Sequence, residues 1–66
     1  MYKRQIKSQS IIERVSLYDV TGKRVLNNSG KSNTITIDVS LLSQGIYVVQ
    51  IQFQNGTTSI KRLVRE

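Results

Sequence analysis

The chain has no cysteine, no histidine, no tryptophan and no proline, and only four acidic residues among 66. The lack of His and Cys removes most soft-metal sites, all thiol chemistry and every Ser-His or Cys-His nucleophile. The four carboxylates, Glu13, Asp19, Asp38 and Glu66, are too few and too scattered for calcium, which takes about six to eight oxygens. No metal or other cofactor is expected. The longest apolar run is Ile46-Tyr47-Val48-Val49, far short of the roughly twenty residues of a membrane-spanning helix, so no membrane insertion is expected. The glycines Gly22, Gly30, Gly45 and Gly56 stand singly, which excludes a phosphate-cradling glycine loop. Apolar residues make up 38% of the chain, against about 45–50% for an average globular domain counted with glycine, so any core is thin.

What the chain has is positive charge, ten Lys and Arg for a net +6. Lys3, Arg4 and Lys7 lie near the start, and Lys61, Arg62 and Arg65 stand against Glu66 at the other end. These account for five of the six net charges. The body between them is nearly neutral, so the charge belongs to the ends and not to a face written through the fold. Residues 1–10 are polar and basic with no apolar h-region, which excludes a secretory signal peptide. They read as a leader or as an edge strand, with Tyr2, Arg4, Ile6 and Ser8 on one face at period two.

Alternation marks the strands. Ile11 to Asp19 has Val15 and Leu17 alternating with polar residues. Asp19-Val20-Thr21-Gly22-Lys23 then predicts a type I turn centred on Val20-Thr21, with Gly22 left-handed at the start of a bulge. The Asp19 carboxylate would accept N–H groups two and three residues on. Lys23 to Asn27 returns as a strand with Val25 inward. Asn27 to Asn33 is the most polar stretch and reads as an exposed loop. Thr34 to Val39 alternates again, placing Ile35, Ile37 and Val39 on one face. Ser40 to Gly45 reads as a tight corner that plugs Leu42 into the core, with Gly45 supplying a positive φ or a close backbone approach. In the strand Ile46 to Phe53, Tyr47, Val49, Ile51 and Phe53 share one face.

Asn55-Gly56 predicts a two-residue type I′ hairpin turn pairing Gln54 with Thr57, Ile51 with Ile60 and Tyr47 with Val64. That register sets Arg62 beside Val49 on the apolar face. Either a bulge near Ser59, the favoured reading, turns Leu63 inward, or Arg62 lies along an edge with its head in water. The sum is an all-β, antiparallel chain of five to six strands. With so thin a core, a marginal monomer or an oligomer is expected, and an unpaired edge in residues 45–53 would invite strand addition, including a homo-dimer.

Catalysis finds little support. Asp19 and Asp38 could form an acid–base pair, but a turn closure for Asp19 and a corner cap for Asp38 explain both. Lys61 sits in an exposed Lys-Arg pair, where it is no nucleophile. The chain is not expected to be an enzyme. A small basic barrel on single-stranded nucleic acid needs aromatic platforms beside the cations. Tyr47 and Phe53 are read as core, leaving Tyr18 and Tyr2 exposed, so this reading rests on terminal charge alone and no nucleic-acid partner is expected.

Three motifs in order carry a family resemblance. They are Val15-Ser-Leu-Tyr-Asp-Val-Thr-Gly-Lys-Arg-Val25, Ile37-Asp-Val-Ser-Leu-Leu-Ser-Gln-Gly-Ile-Tyr-Val-Val-Gln-Ile51, and Lys61-Arg-Leu-Val-Arg65. Together, over residues 11–66, they resemble the type A C-terminal sorting domain of type IX secretion cargo proteins from Bacteroidetes. Asp19, Gly22 and Lys23 fit the first motif; Leu42, Gly45 and Tyr47 the second; Lys61, Leu63, Val64 and Arg65 the last. The Pro-Asn-Pro strand region that usually opens the family is missing from a proline-free chain.

The resemblance implies a small Ig-like β-sandwich, truncated or completed by oligomerisation. Residues 1–10 would be a leader or edge strand, and residues 11–66 the sorting domain. It implies a non-catalytic secretion signal behind a passenger protein, read in the periplasm by the type IX machinery. A sortase-like peptidase would cleave it on export to the outer-membrane surface or beyond. Lys61, Arg62, Val64 and Arg65 would be the recognition residues, and Asp19, Gly22, Lys23, Leu42, Gly45 and Tyr47 would hold the shape. The competing reading is a generic all-β adhesion or interaction module.

Overall fold

The computed structural model describes residues 3–40 and 42–66; Tyr2, placed above on the face of Arg4, lies outside them. Four antiparallel strands form one sheet in the order β2-β1-β3-β4. They are β1 (Lys3–Tyr18), β2 (Arg24–Asp38), β3 (Gly45–Phe53) and β4 (Thr58–Arg65). The five to six segments legible in the sequence are carried by these four strands, because two pairs of segments are continuous. β1 runs unbroken through Ser10 and Ile11, and β2 runs through Asn27 to Asn33.

The Asn27–Asn33 stretch is therefore strand, not loop. Its side chains are mostly exposed, so hydrophobic alternation could not reveal it. What holds it is backbone pairing to β1, from Arg14↔Ser29 through Leu17↔Leu26. Here Ser16 also donates its hydroxyl to Asn27 Oδ1 at 3.2 Å.

The long strands bend, and the bend makes the core. Between Lys7↔Thr34 and Ile12↔Ser32 the ladder slips, leaving residues 8–11 of β1 opposite Asn33 alone. Such extra residues bend a strand and increase its twist. The Asn33 amide clamps the bend, donating to the carbonyls of Ser8 at 3.2 Å and Gln9 at 3.1 Å. Asn28 reaches the carbonyl of Thr36 at 3.1 Å, although eight residues of straight strand would span about 26 Å. The Lys3–Lys7 and Thr34–Asp38 arm thus folds over the rest of the sheet. Ile35 and Ile37 from the arm join Ile12, Val15 and Leu17 of β1, Val39, and Tyr47, Val49 and Ile51 of β3 in one buried cluster.

The two hairpins share one geometry. Gly22 N donates to Asp19 O at 3.0 Å and Asp19 N to Lys23 O at 2.9 Å; Gly56 N donates to Phe53 O at 3.0 Å and Phe53 N to Thr57 O at 2.9 Å. Gly22 has φ +89° and Gly56 φ +93°, and no other residue type has positive φ among the described residues. A type I′ turn would need Asn55 at positive φ as well, so Asn55-Gly56 closes a three-residue loop, the type I turn plus left-handed glycine expected at Asp19–Lys23.

The register moves by one residue as a result. Tyr47 pairs with Leu63, Val49 with Lys61 and Ile51 with Ser59. Leu63 does turn inward, but the extra residue is in the turn and not at Ser59. Arg62 stands opposite Val48 on the outer face, and Lys61 takes the inner position beside Val49. The conflict is relieved because β4 is the last strand of the sheet and Lys61 is exposed there.

The Asp19 carboxylate closes its turn through the N–H two residues on, as expected. It takes its second backbone donor four residues on rather than three, because Gly22 N donates to the Asp19 carbonyl instead. Oδ1 accepts from Thr21 N at 2.9 Å, Thr21 Oγ1 at 2.6 Å and Lys23 N at 3.0 Å. The Thr21 hydroxyl bond, aided by the two backbone N–H bonds, holds the Asp19 pKa below its ordinary 3.8 despite an opposing desolvation effect. A group depressed in the folded state stabilises fully above its unfolded pKa and loses that contribution as pH falls through its folded pKa. Asp19→Asn should therefore lower the thermal midpoint at neutral pH, with the gap to the parent closing below pH 3.8. A gap that widens on acidification would contradict this account.

Candidate functional site

The motif residues gather at one end of the fold. Asp19, Lys23, Leu42 and Tyr47 line a shared surface depression with Val25 and Ser43. The corner that joins β2 to β3 brings them there. Leu42 N donates to Val39 O at 3.0 Å, and the Leu42 side chain packs against the buried cluster. Tyr47 is buried, and its hydroxyl donates to Ser43 O at 2.7 Å. This bond satisfies the one polar atom of a core aromatic. Gly45 has φ +151°, and no atom outside its chain neighbours lies within 4 Å of where a Cβ would stand. Of the two readings for this glycine, positive φ is the one realised.

The four basic-strand residues divide. Lys61 and Arg62 are exposed on opposite faces of β4, and Val64 is exposed on the face of Arg62. Arg65 is half-buried and tied down: its Nε donates to Val39 O at 3.2 Å and its Nη1 to Glu66 O at 2.7 Å. Paired in register with Gly45, it ties the end of β4 to the corner.

The groups weighed for catalysis are engaged as caps. Asp19 closes its turn, and Asp38 Oδ1 accepts from Ser40 N at 2.9 Å. The Ser40 bonds, side chain first, hold the Asp38 pKa below the ordinary value. Among the described residues no three carboxylates gather into a metal-binding group. Tyr18 is half-buried, not free, and donates to Gln50 Oε1 at 3.2 Å. Phe53 is half-buried beside the core.

A second feature escaped sequence reasoning. A groove of about 500 Å³ opens between the Lys3–Lys7 arm and β4, with Arg4, Lys7, Lys61 and Arg62 around it. Arg4 Nη2 donates across it to Val64 O at 3.4 Å. The two charged ends, separate in sequence, meet here. The one available signal was the placement of charge at both ends.

No individual curated protein matches the chain. A family model described as the secretion system C-terminal sorting domain matches residues 3–66. It thus takes in residues 3–10 of β1, outside the 11–66 stretch spanned by the three motifs. With the match running over nearly all of its length, the chain belongs to the secretion system C-terminal sorting domain family, the sorting signal of type IX secretion.

Proposed function

We propose that this domain is a non-catalytic signal that carries a passenger through the periplasm to the type IX machinery, is read there through β4, and is removed by a sortase-like peptidase as the passenger reaches the cell surface. The observation that carries the reading is the position of β4. It is an edge strand of the sheet, presenting Lys61, Arg62 and Val64 to solvent. An edge strand offers backbone pairing for affinity and its side chains for specificity. Arg65, held by Val39 and Glu66, joins Asp19, Gly22, Lys23, Leu42, Gly45 and Tyr47 in keeping the shape.

The test is export. Residues 1–66 fused behind a signal peptide and a periplasmic reporter, in a host with the type IX system, should deliver the reporter to the surface. Lys61→Glu combined with Arg62→Glu should cut delivery by about tenfold or more, since reversed charges repel a complementary partner. Lys31→Glu, an exposed residue on β2, should leave it unchanged. Retention of the parent fusion in the periplasm would overturn the reading.

A further inference from the structure

We propose that the seam between β4 and the Lys3–Lys7 part of β1 accepts an added β-strand from a partner protein, in which two adjacent acidic residues are flanked by apolar ones. This deepens the sorting reading and rests on it for where the partner resides, namely in the export machinery.

The backbone supplies the first argument. Among the described residues, β4 pairs with β3 alone, and Lys3–Lys7 pairs with β2 alone. The two free edges flank the groove without pairing to each other; the guanidinium of Arg4 bridges them. Antiparallel ladders alternate bonded and non-bonded pairs. Phe53 N bonds to Thr57 O, so Ser59, Lys61 and Leu63 face β3. Ile60, Arg62 and Val64 then turn their N–H and C=O groups outward. The Arg4 bond to Val64 O fits that parity, as does the bond from Gln54 N to Ile11 O on the β1 side of β3. Three successive outward-facing residues make a template for strand addition.

Side chains set the occupant's chemistry. The groove is lined by Arg4 and Lys61 from the inner faces of their strands and by Lys7 and Arg62 from the opposite faces, against one acid, Glu66, over a floor that includes half-buried Ile6 and Leu63. On the outer side, Ile46, Val48, Ile60 and Val64 are 46%, 39%, 67% and 44% exposed. These are four of the five large hydrophobics exposed among the described residues, gathered on one face of β3 and β4. From Ile60 to Val64, β4 therefore offers apolar, cation, cation, apolar, apolar. Opposite charges and apolar pairs stabilise directly opposed positions. An antiparallel partner strand complements this as apolar, apolar, acid, acid, apolar. A second copy of β4 would set like charges together, which is destabilising. Polyphosphate or nucleic acid would use the cations but leave the outward amides and the apolar face unsatisfied.

The probe is the capped peptide Thr-Val-Val-Glu-Glu-Val-Thr, with Thr-Val-Val-Lys-Lys-Val-Thr as its charge-inverted control. Titrated into the isotopically labelled protein, the acidic peptide should bind saturably. It should shift amides in 58–65 and 3–7, and newly protect those of Ile60, Arg62 and Val64 from exchange. Lys61→Gln with Arg62→Gln should weaken it about tenfold. Ile60→Pro removes an outward N–H without touching the ladder to β3, a position where an edge strand tolerates proline. It should abolish binding with the melting transition retained. No binding at low salt, equal binding of the lysine peptide, equal competition by polyphosphate, or the same shifts from self-association without peptide would each overturn the proposal. If the reporter is exported while the peptide fails to bind, the added strand is rejected and the sorting reading stands. If the peptide binds as described to a domain that exports nothing, the strand site stands and the sorting reading falls.

Discussion

Replacing Ile37 with alanine is expected to remove about 2–5 kcal/mol of stability through lost burial and the cavity left behind. Ile37 is fully buried on the arm of β2, opposite Arg4 in register. Its neighbours in the buried cluster come from β1 and β3 as well as from the arm, so deleting it weakens the contact that folds the arm over the sheet. A single core in a chain this short rarely supplies more than about 3–5 kcal/mol in all, and this chain has no cysteine to form a disulfide. The variant should therefore be largely unfolded at room temperature, seen as loss of the cooperative urea transition followed by circular dichroism. Val20→Ala, at a turn position 80% exposed, should change stability by no more than about 0.5 kcal/mol. If Ile37→Ala proved equally mild, the arm would not be packed as described.

Tyr47→Ala should be of similar size, about 3–5 kcal/mol, as for other buried aromatics cut back to alanine. Tyr47→Phe separates the two jobs of the side chain. It keeps the ring in the core and loses only the hydroxyl bond to Ser43 O, a loss of about 0.5–1.5 kcal/mol, since Ser43 is exposed and water can satisfy its carbonyl. The export reporter then distinguishes shape from contact. A folded Tyr47→Phe domain should export its passenger as the parent does. Failure of export in a domain whose melting curve is near that of the parent would mean that the hydroxyl is itself read by the machinery.

These two residues were legible in the sequence because each sits in an alternating run with apolar neighbours two positions away. The Asp19–Lys23 turn was equally legible, since Asp, a left-handed glycine and a following strand are each required by its geometry. Two other features obeyed different physics. The polar middle of β2 is a strand by virtue of its partner's backbone, and no property of its own side chains announces that. Asn55-Gly56 fits two turns that differ by one residue, and the dipeptide does not choose between them. The decisive signal lay further along, in the choice between burying Arg62 and burying Leu63. It pointed to a one-residue shift but could not say where the extra residue sat. The cations of β4 were visible from the start. Their alignment with Arg4 and Lys7 was not, because it depends on the Asn33 clamp bending β1 and β2 back over the sheet.

That bend has a consequence for timing. Arg4 and Val64 are sixty positions apart, so the seam comes into being only when both have arrived and the arm has closed. An unfolded chain displays the whole β4 sequence but has no seam. A receptor that reads the seam would thus be testing conformation as well as identity, and would pass over tags still being threaded or caught half-assembled.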